Sequence, residues 1–414
     1  MPAQGPVVRS GREKEPMTVT TRRTTQERAP LDALVIGGGV IGLACAWRAA
    51  RRGLRVRVLE RVRPGAGASG VAAGMLAPVG EATWGEENLL ELALASARAW
   101  PGFATELAEA SERRVGYLPD GALHVALDRD EAEELRRRFE LMRSLNLDAD
   151  LMRPREARAL EPGLAPRLSA AVHAPHEAAV DPRELLAALE AALAHAGGEL
   201  LSGVEAVEAI VEGGAIAGVR GADGSEHRAP RTVLASGCWS GAGGCLPADL
   251  RPPIRPVKGQ ILTLRGRIGE PVCERIVVSE RVYLVPRPDG RLSVGATVEE
   301  RGFDTRVTAG GVHELLREAY RALPDVAELE LVEAVAGLRP ASPDNAPMIG
   351  AASIEGLLIA TGHYRNGILL APATAEAIAD LLVGAEPRID LGPFDPLRFE
   401  GRRGADRARE ATVA

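Results

Sequence analysis

The sequence predicts an α/β protein, α+β overall, in which a parallel strand-and-helix layer joins a region of mixed and antiparallel strands. Three observations predict it. A strand, a glycine loop, a helix and a second strand follow one another between residues 31 and 60. Closely spaced strand-like runs with hairpin turns occupy residues 260 to 298. A second strand–glycine–helix unit, residues 356 to 382, repeats the arrangement of the first.

In the first unit an apolar run from Leu31 leads into Gly37-Gly-Gly-Val-Ile-Gly42. Gly37, Gly39 and Gly42 form a GxGxxG, and the surroundings are a Rossmann-like strand, turn and helix. The first glycine allows the tight turn, the second lets backbone approach a pyrophosphate, and the third packs helix on strand. The helix, read as 43–52, begins near Val40 and Ile41, whose N–H groups face the phosphates. Glu60 ends the second strand 18 positions beyond Gly42, where a carboxylate accepts ribose hydroxyls. Arg61 suits a 2′-phosphate, but Glu60 beside it repels one, so free ribose hydroxyls are expected. By itself the fingerprint fits NAD, FAD or an ordinary glycine turn.

The chain's 414 residues suffice for two sizeable cores, and 46% apolar and 26% charged residues are those of a globular protein. A net charge of −7 argues against nucleic acid as the main partner. No run is long and apolar enough for a membrane span, and the expected compartment is the cytoplasm. Cys45, Cys238, Cys245 and Cys273 show no metal spacing and read as buried or free thiols, although Cys238 and Cys245 are close enough in sequence to pair. His173 and His176 make an HxxH without an evident third ligand, so no metal is expected. Residues 1–30 are polar and aperiodic and read as a disordered tail, with Met17 a possible second start.

Along the chain, residues 64–78 form an uncharged small-residue loop that can lie flat against a planar ligand. Residues 87–107 have helical periodicity, 116–127 read as turn then strand, 131–145 as a charged helix and 154–162 as a short one. Asp181-Pro182-Arg183-Glu184 is a helix start with Asp181 as N-cap, Pro182 at N1 and Glu184 able to close a capping box. Strands are expected at 204–211, 216–220 and 232–235, then at 260–265, 276–278, 281–286 and 291–298. A helix at 312–323 precedes a stretch, 330–338, that returns toward the first layer through Gly337-Leu-Arg-Pro340. The last unit is strand 356–360, the loop Thr361–Gly367 and helix 368–382.

Several stretches together resemble the D-amino-acid-oxidase family of flavoproteins. They are Ala72-Ala-Gly-Met-Leu-Ala-Pro78, Val233-Leu-Ala-Ser-Gly-Cys-Trp-Ser240, Arg255-Pro-Val-Lys-Gly-Gln260, Tyr283-Leu-Val-Pro-Arg287, Gly337-Leu-Arg-Pro-Ala-Ser-Pro-Asp344 and Gly362-His-Tyr-Arg-Asn-Gly-Ile-Leu-Leu-Ala-Pro372. The resemblance runs from about residue 31 to 382 and decides for FAD over NAD. It implies an FAD-binding domain in three pieces, 31–115, 171–250 and 336–386, interleaved with substrate-domain pieces 116–170 and 251–335, and a C-terminal tail at 387–414. By motif, FAD contacts fall on Gly37, Gly39, Val40, Ile41, Gly42, Glu60, Arg61, Ala68, Ser69, Ala73, Gly74, Met75 and Val204. The final loop, His363, Tyr364, Arg365, Asn366, Gly367, Ile368 and Leu369, lies beside the flavin ring. Substrate contacts fall on Ala77, Pro78, Tyr283, Arg339 and Arg365. Relatives that hold flavin covalently use a cysteine just after the position of Arg339; 340–350 contains none, so non-covalent FAD is implied. Val298 stands where some relatives carry methionine.

The implied reaction is oxidative deamination of glycine, with sarcosine and small D-amino acids as further candidates. Hydride passes to flavin N5, O2 becomes H2O2, and the imine yields glyoxylate and ammonia or passes to a thiazole-forming partner; homo-oligomers are common in the family. Arg339, Tyr283 and Arg365 are the catalytic candidates, with Arg339 as a bidentate carboxylate clamp. Each also has an ordinary alternative: a salt bridge for Arg339, core packing for Tyr283, capping or an acidic partner for Arg365. A dehydrogenase that passes electrons to quinone, an NAD dehydrogenase and a colourless nucleotide-binding regulatory protein stay open as functions. Because the amine must be neutral to release hydride, turnover is expected to rise between about pH 6 and about pH 9, which a steady-state pH profile checks.

Overall fold

The computed structural model describes residues 30–242 and 244–400. The predicted tail 1–30, with Met17, falls almost entirely outside them, as do residues 401–414. The α/β reading holds. A six-stranded sheet runs in the order Met348–Ala351, Leu357–Thr361, Thr232–Leu234, Ala33–Ile36, Val56–Glu60 and Glu199–Ser202. All neighbours are parallel except the first pair. Helices Val40–Arg51, Pro182–His195, Glu87–Ser111 and Ala371–Val383 pack around it, and their shared core holds Trp47, Trp100 and Phe103 in edge-to-face contacts of 5.4 and 5.3 Å.

The second large sheet has eight strands, in the order Glu330–Ala341, Arg255–Arg265, Arg291–Gly295, Tyr283–Pro286, Ile276–Val278, Ala122–Ala126, Ala170–Ala174 and Asp150–Met152. One pair, Ile276–Val278 with Ala122–Ala126, is parallel and the rest antiparallel. Helix Ala309–Ala322 covers it through Leu315, Ala319 and Ala322. Smaller sheets are Ala206–Glu212, Ala215–Gly221, Glu226–Arg228, and Met75–Leu76, Ala178–Val180, Tyr117–Leu118.

Several boundaries differ from the sequence reading. The first helix starts at Val40, because extended Gly39 releases the chain directly into it. The last helix starts at Ala371; residues 367–370 form turns instead. The stretch expected to return to the first layer is one continuous strand of the large sheet, Glu330–Ala341, laddered along its length to Arg255–Arg265. That strand and Ala170–Ala174 span the divisions expected at 335 and 170. Residues 387–400, read as a tail, carry two short 3₁₀ turns with Phe394 and Phe399 buried. All four cysteines are buried and unpaired.

Asp181 caps its helix as expected, accepting from the amides of Arg183 and Glu184 at 2.9 and 3.3 Å. The capping box does not close, since Asp181 N–H donates to Gly116 O instead. Asp181 Oδ2 accepts from Arg291 Nη2 at 2.6 Å, tying the helix start to the large sheet. Burial works against its charge, but Arg287, Arg291 and the Arg183 amide hold the carboxyl below the usual carboxylate range. A lowered folded pKa adds stability above the unfolded value of about 3.9, and that stability is lost as pH falls through the folded pKa. Asp181→Ala is expected to cost about 1–2 kcal/mol in urea unfolding at neutral pH. The difference from wild type should shrink in strong acid.

Candidate active site

A cavity of about 550 Å³ runs from the glycine loop to the large sheet. Its cofactor end is made by two strand ends and a helix start. Gly37 sits at φ +110°, and a Cβ there would lie 2.5 Å from Ala235 O, so only glycine allows this approach. Gly42 does not line the cavity; a Cβ on it would strike Gly37 O, which is the packing role of the third glycine. The N–H groups of Gly39 and Ile41 meet no acceptor among the described residues. Val40 N–H donates to Ser69 Oγ at 3.0 Å. Glu60 accepts from the Gly38 amide at 2.7 Å and the Val62 amide at 2.8 Å. Two backbone amides thus fix its carboxylate at the strand end with lone pairs to spare. Arg61 stacks over Trp239 at 4.7 Å and faces Glu205 at 3.6 Å.

The small-residue loop folds as a short helix, Ala68–Val71, followed by strand Met75–Leu76. Ala68, Ser69, Ala73, Gly74, Met75 and Ala77 from it line the cavity with Val204; Pro78 does not. Arg287 is buried at 5% exposure and donates from Nη2 to Ala73 O, which pins this wall to the large sheet. Burial lowers its pKa to about 10, and Asp181 opposes that shift.

At the far end Arg339 and Tyr283 meet. Arg339 is opposite Val257 in the ladder, and its Nη1 donates to Thr297 O at 3.1 Å and Lys258 O at 3.4 Å. The rest of the guanidinium borders the Tyr283 hydroxyl and the cavity. Burial raises the Tyr283 pKa against the pull of Arg339, so the phenol stays protonated and can donate. Two glycines make the room. A Cβ at Gly259 would strike the Arg339 guanidinium, and one at Gly295 the Tyr283 ring and hydroxyl.

The final loop closes the remaining side with His363, Tyr364, Arg365, Asn366, Gly367 and Ile368. Tyr364 N–H donates to Pro340 O at 2.9 Å, which ties the loop to the strand carrying Arg339. His363 is buried against Thr374 Oγ1 at 3.0 Å, and burial pushes its pKa down to about 3, so it is neutral. Arg365 lies 3.7 Å from Glu81. Leu369 faces the core, its carbonyl accepting from Ser96 and Trp100 at 2.7 and 2.9 Å. The amides of Gly367 and Ile368, which line the cavity, meet no acceptor among the described residues and form the second donor cluster.

Glu81, Trp239, Gly259 and Gly295 also border this site and have no role in the sequence reading. A signal existed for Glu81, the first charged residue after an uncharged run from Pro64. The two glycines gave none, because Gly259 serves Arg339 on a strand distant in sequence and Gly295 serves Tyr283 only through the register of their hairpin. Free amides at two turns, a fixed carboxylate at a strand end and a long cradle of small residues fit the pyrophosphate, ribose and ring of FAD.

Residues 32–381 match the DAO family, described as FAD dependent oxidoreductase. The chain is 35% identical to the glycine oxidase of Geobacillus kaustophilus over 378 residues, 91% of this chain and 99% of that protein. The bifunctional protein ThiO/ThiG of Trichormus variabilis is 36% identical over 374 residues, 89% of this chain and 55% of that longer one. The crystal structure of the G. kaustophilus glycine oxidase has a TM-score of 0.83 over 89% of this chain and 99% of its own. Iminodiacetate oxidase from Chelativorans sp. BNC1, at 28% identity, has 0.79 over 88% and 98%.

Glu60→Ala removes the acceptor that Gly38 and Val62 share. FAD affinity is expected to fall about tenfold or more, the loss of one charge-assisted hydrogen bond. Fluorescence of the released flavin on dilution measures it.

Proposed function

The chain belongs to the DAO family of FAD-dependent oxidoreductases, and from that premise we propose that it oxidises glycine to glyoxylate and ammonia with O2 as acceptor, giving H2O2. The observation that carries the reading is the pairing of the Arg339 guanidinium with the Tyr283 hydroxyl at the cavity end beyond the cofactor cradle. The cavity residues listed by motif serve in it as FAD and substrate contacts. A discontinuous division into a cofactor and a substrate domain is part of the same proposal, drawn so that strands Ala170–Ala174 and Glu330–Ala341 stay whole.

Bound FAD supplies the two-electron acceptor. The chain's own residues do the rest. Arg339, anchored by two backbone carbonyls, offers its remaining N–H bonds to a carboxylate. Tyr283, kept as a phenol, adds a neutral donor to the same group. Together they orient a small amino acid by one end and leave its Cα free. The Arg339 cation also favours the neutral amine over ammonium. The amides of Gly367 and Ile368 would favour negative charge on a flavin held in this cavity.

The half-length match to a bifunctional ThiO/ThiG protein supports delivery of the imine to a thiazole-forming partner. The purified protein is expected to be yellow, to be bleached anaerobically by glycine, and to form peroxide when air returns. Reduction of quinone with no peroxide would favour a dehydrogenase. Arg339→Ala is expected to lose glycine bleaching by about a thousandfold or more, as for a charge-paired bidentate contact, while keeping its colour. Stopped-flow absorbance at the flavin band reads both.

A further inference from the structure

Glu81 is the acidic group of the substrate end that the clamp leaves without a task. It follows Ala77 and Pro78 on a turn closed by Glu81 N–H to Ala77 O at 3.2 Å, and it lines the cavity with Tyr283, Arg339 and Arg365. Its Oε2 is buried and accepts no hydrogen bond among the described residues. Arg365 Nε stands 3.7 Å away, an ion-pair distance too long for a hydrogen bond. The side chain is 30% exposed and lines the cavity.

A zwitterion brings one charge of each sign to this place. Arg339 and Arg365 answer the carboxylate. Two other carboxylates line the cavity, but Glu60 is taken by the Gly38 and Val62 amides and Glu205 faces Arg61. Glu81 is the acidic group beside the clamp. Resting on the amino-acid reading above, we propose that Glu81 binds the substrate ammonium and accepts one of its protons.

In this step an N–H bond of the ammonium breaks and an O–H bond forms on the Glu81 carboxylate. The electron pair stays on nitrogen, nothing is oxidised, and the proton leaves through the cavity mouth with product. Four charges act on Glu81: Arg365 from the final loop, Glu177 behind Gly80, Arg339 from the large sheet and Arg138 from helix Arg129–Ser144. Glu177 is itself fixed by Gly80 N–H at 2.5 Å and by His124 at 3.1 Å. Burial raises the Glu81 carboxyl and Glu177 adds to it, against Arg365, Arg339 and Arg138. A raised carboxyl is the better proton acceptor near neutral pH.

The test compares the wild-type holoenzyme with Glu81→Gln and Glu81→Asp. Flavin absorbance shifts give the affinity for glycolate, a carboxylate without an amine. Anaerobic stopped flow gives the affinity for glycine and the reduction rate against pH. For Glu81→Gln, glycine binding is expected to weaken about tenfold or more while glycolate binding is kept. The acidic limb of its reduction rate should move to higher pH, and Glu81→Asp should recover part of both. Equal weakening of glycine and glycolate would mark a structural role and overturn the inference. So would a Glu81→Gln enzyme indistinguishable from wild type under glycine bleaching. A wild-type enzyme that binds glycolate but is never bleached by any small amino acid overturns the amino-acid reading and this inference together.

Discussion

The closeness of Gly37 to Ala235 is the constraint on which the nucleotide end depends. With no Cβ between them, the first strand and its neighbour Thr232–Leu234 end side by side. The helix from Val40 can then begin at once, with the amides of Gly39 and Ile41 free. Those amides and the carboxylate of Glu60, held by Gly38 and Val62, stand where the proposed reading puts the pyrophosphate and the ribose hydroxyls. A side chain at Gly37 would move the strand end and the helix start together.

The substrate end obeys the same rule on a different sheet. Strands Arg255–Arg265 and Glu330–Ala341 form a long antiparallel ladder, which places Gly259 beside Gly337 and sets Arg339 two residues along. On the neighbouring strands Gly295 stands opposite Tyr283. Missing side chains on one strand become the space that the functional side chain on the next one fills. Arg339 is thereby anchored through Nη1 by the backbone carbonyls of Thr297 and Lys258.

Polar groups buried at the seam between the two sheets serve stiffness. Arg287 reaches Ala73 O, and Arg291 reaches Asp181, so the cradle loop and the helix start at Pro182 are both tied to the large sheet. His363, neutral and bonded to Thr374, holds the final loop from the other side. A rigid frame of this kind is what the proposed two-point orientation of a very small amino acid requires, because such a substrate has little side chain to help position it.

Local chemistry was legible in the chain itself. The GxGxxG between strand and helix, the cap at Asp181 and the uncharged loop before Met75 each act over a few residues, so neighbours in sequence state their physics. Motif resemblance added Arg339, Tyr283 and the final loop, and these do border one cavity with Glu60 and Ser69. Three expected contacts, Gly42, Pro78 and Leu369, do not line it: the first packs helix on strand, and the last gives its carbonyl to Ser96 and Trp100. The unbroken strand through Arg339, the room made by Gly259 and Gly295, and the nearness of Glu81 to Arg365 could not be read ahead. The strand ladder, the Gly259–Arg339 contact and the Glu81–Arg365 approach join segments about eighty to nearly three hundred residues apart, and the Gly295–Tyr283 contact depends on the exact register of its hairpin; a one-dimensional pattern carries no information about which backbone will lie alongside or in what register.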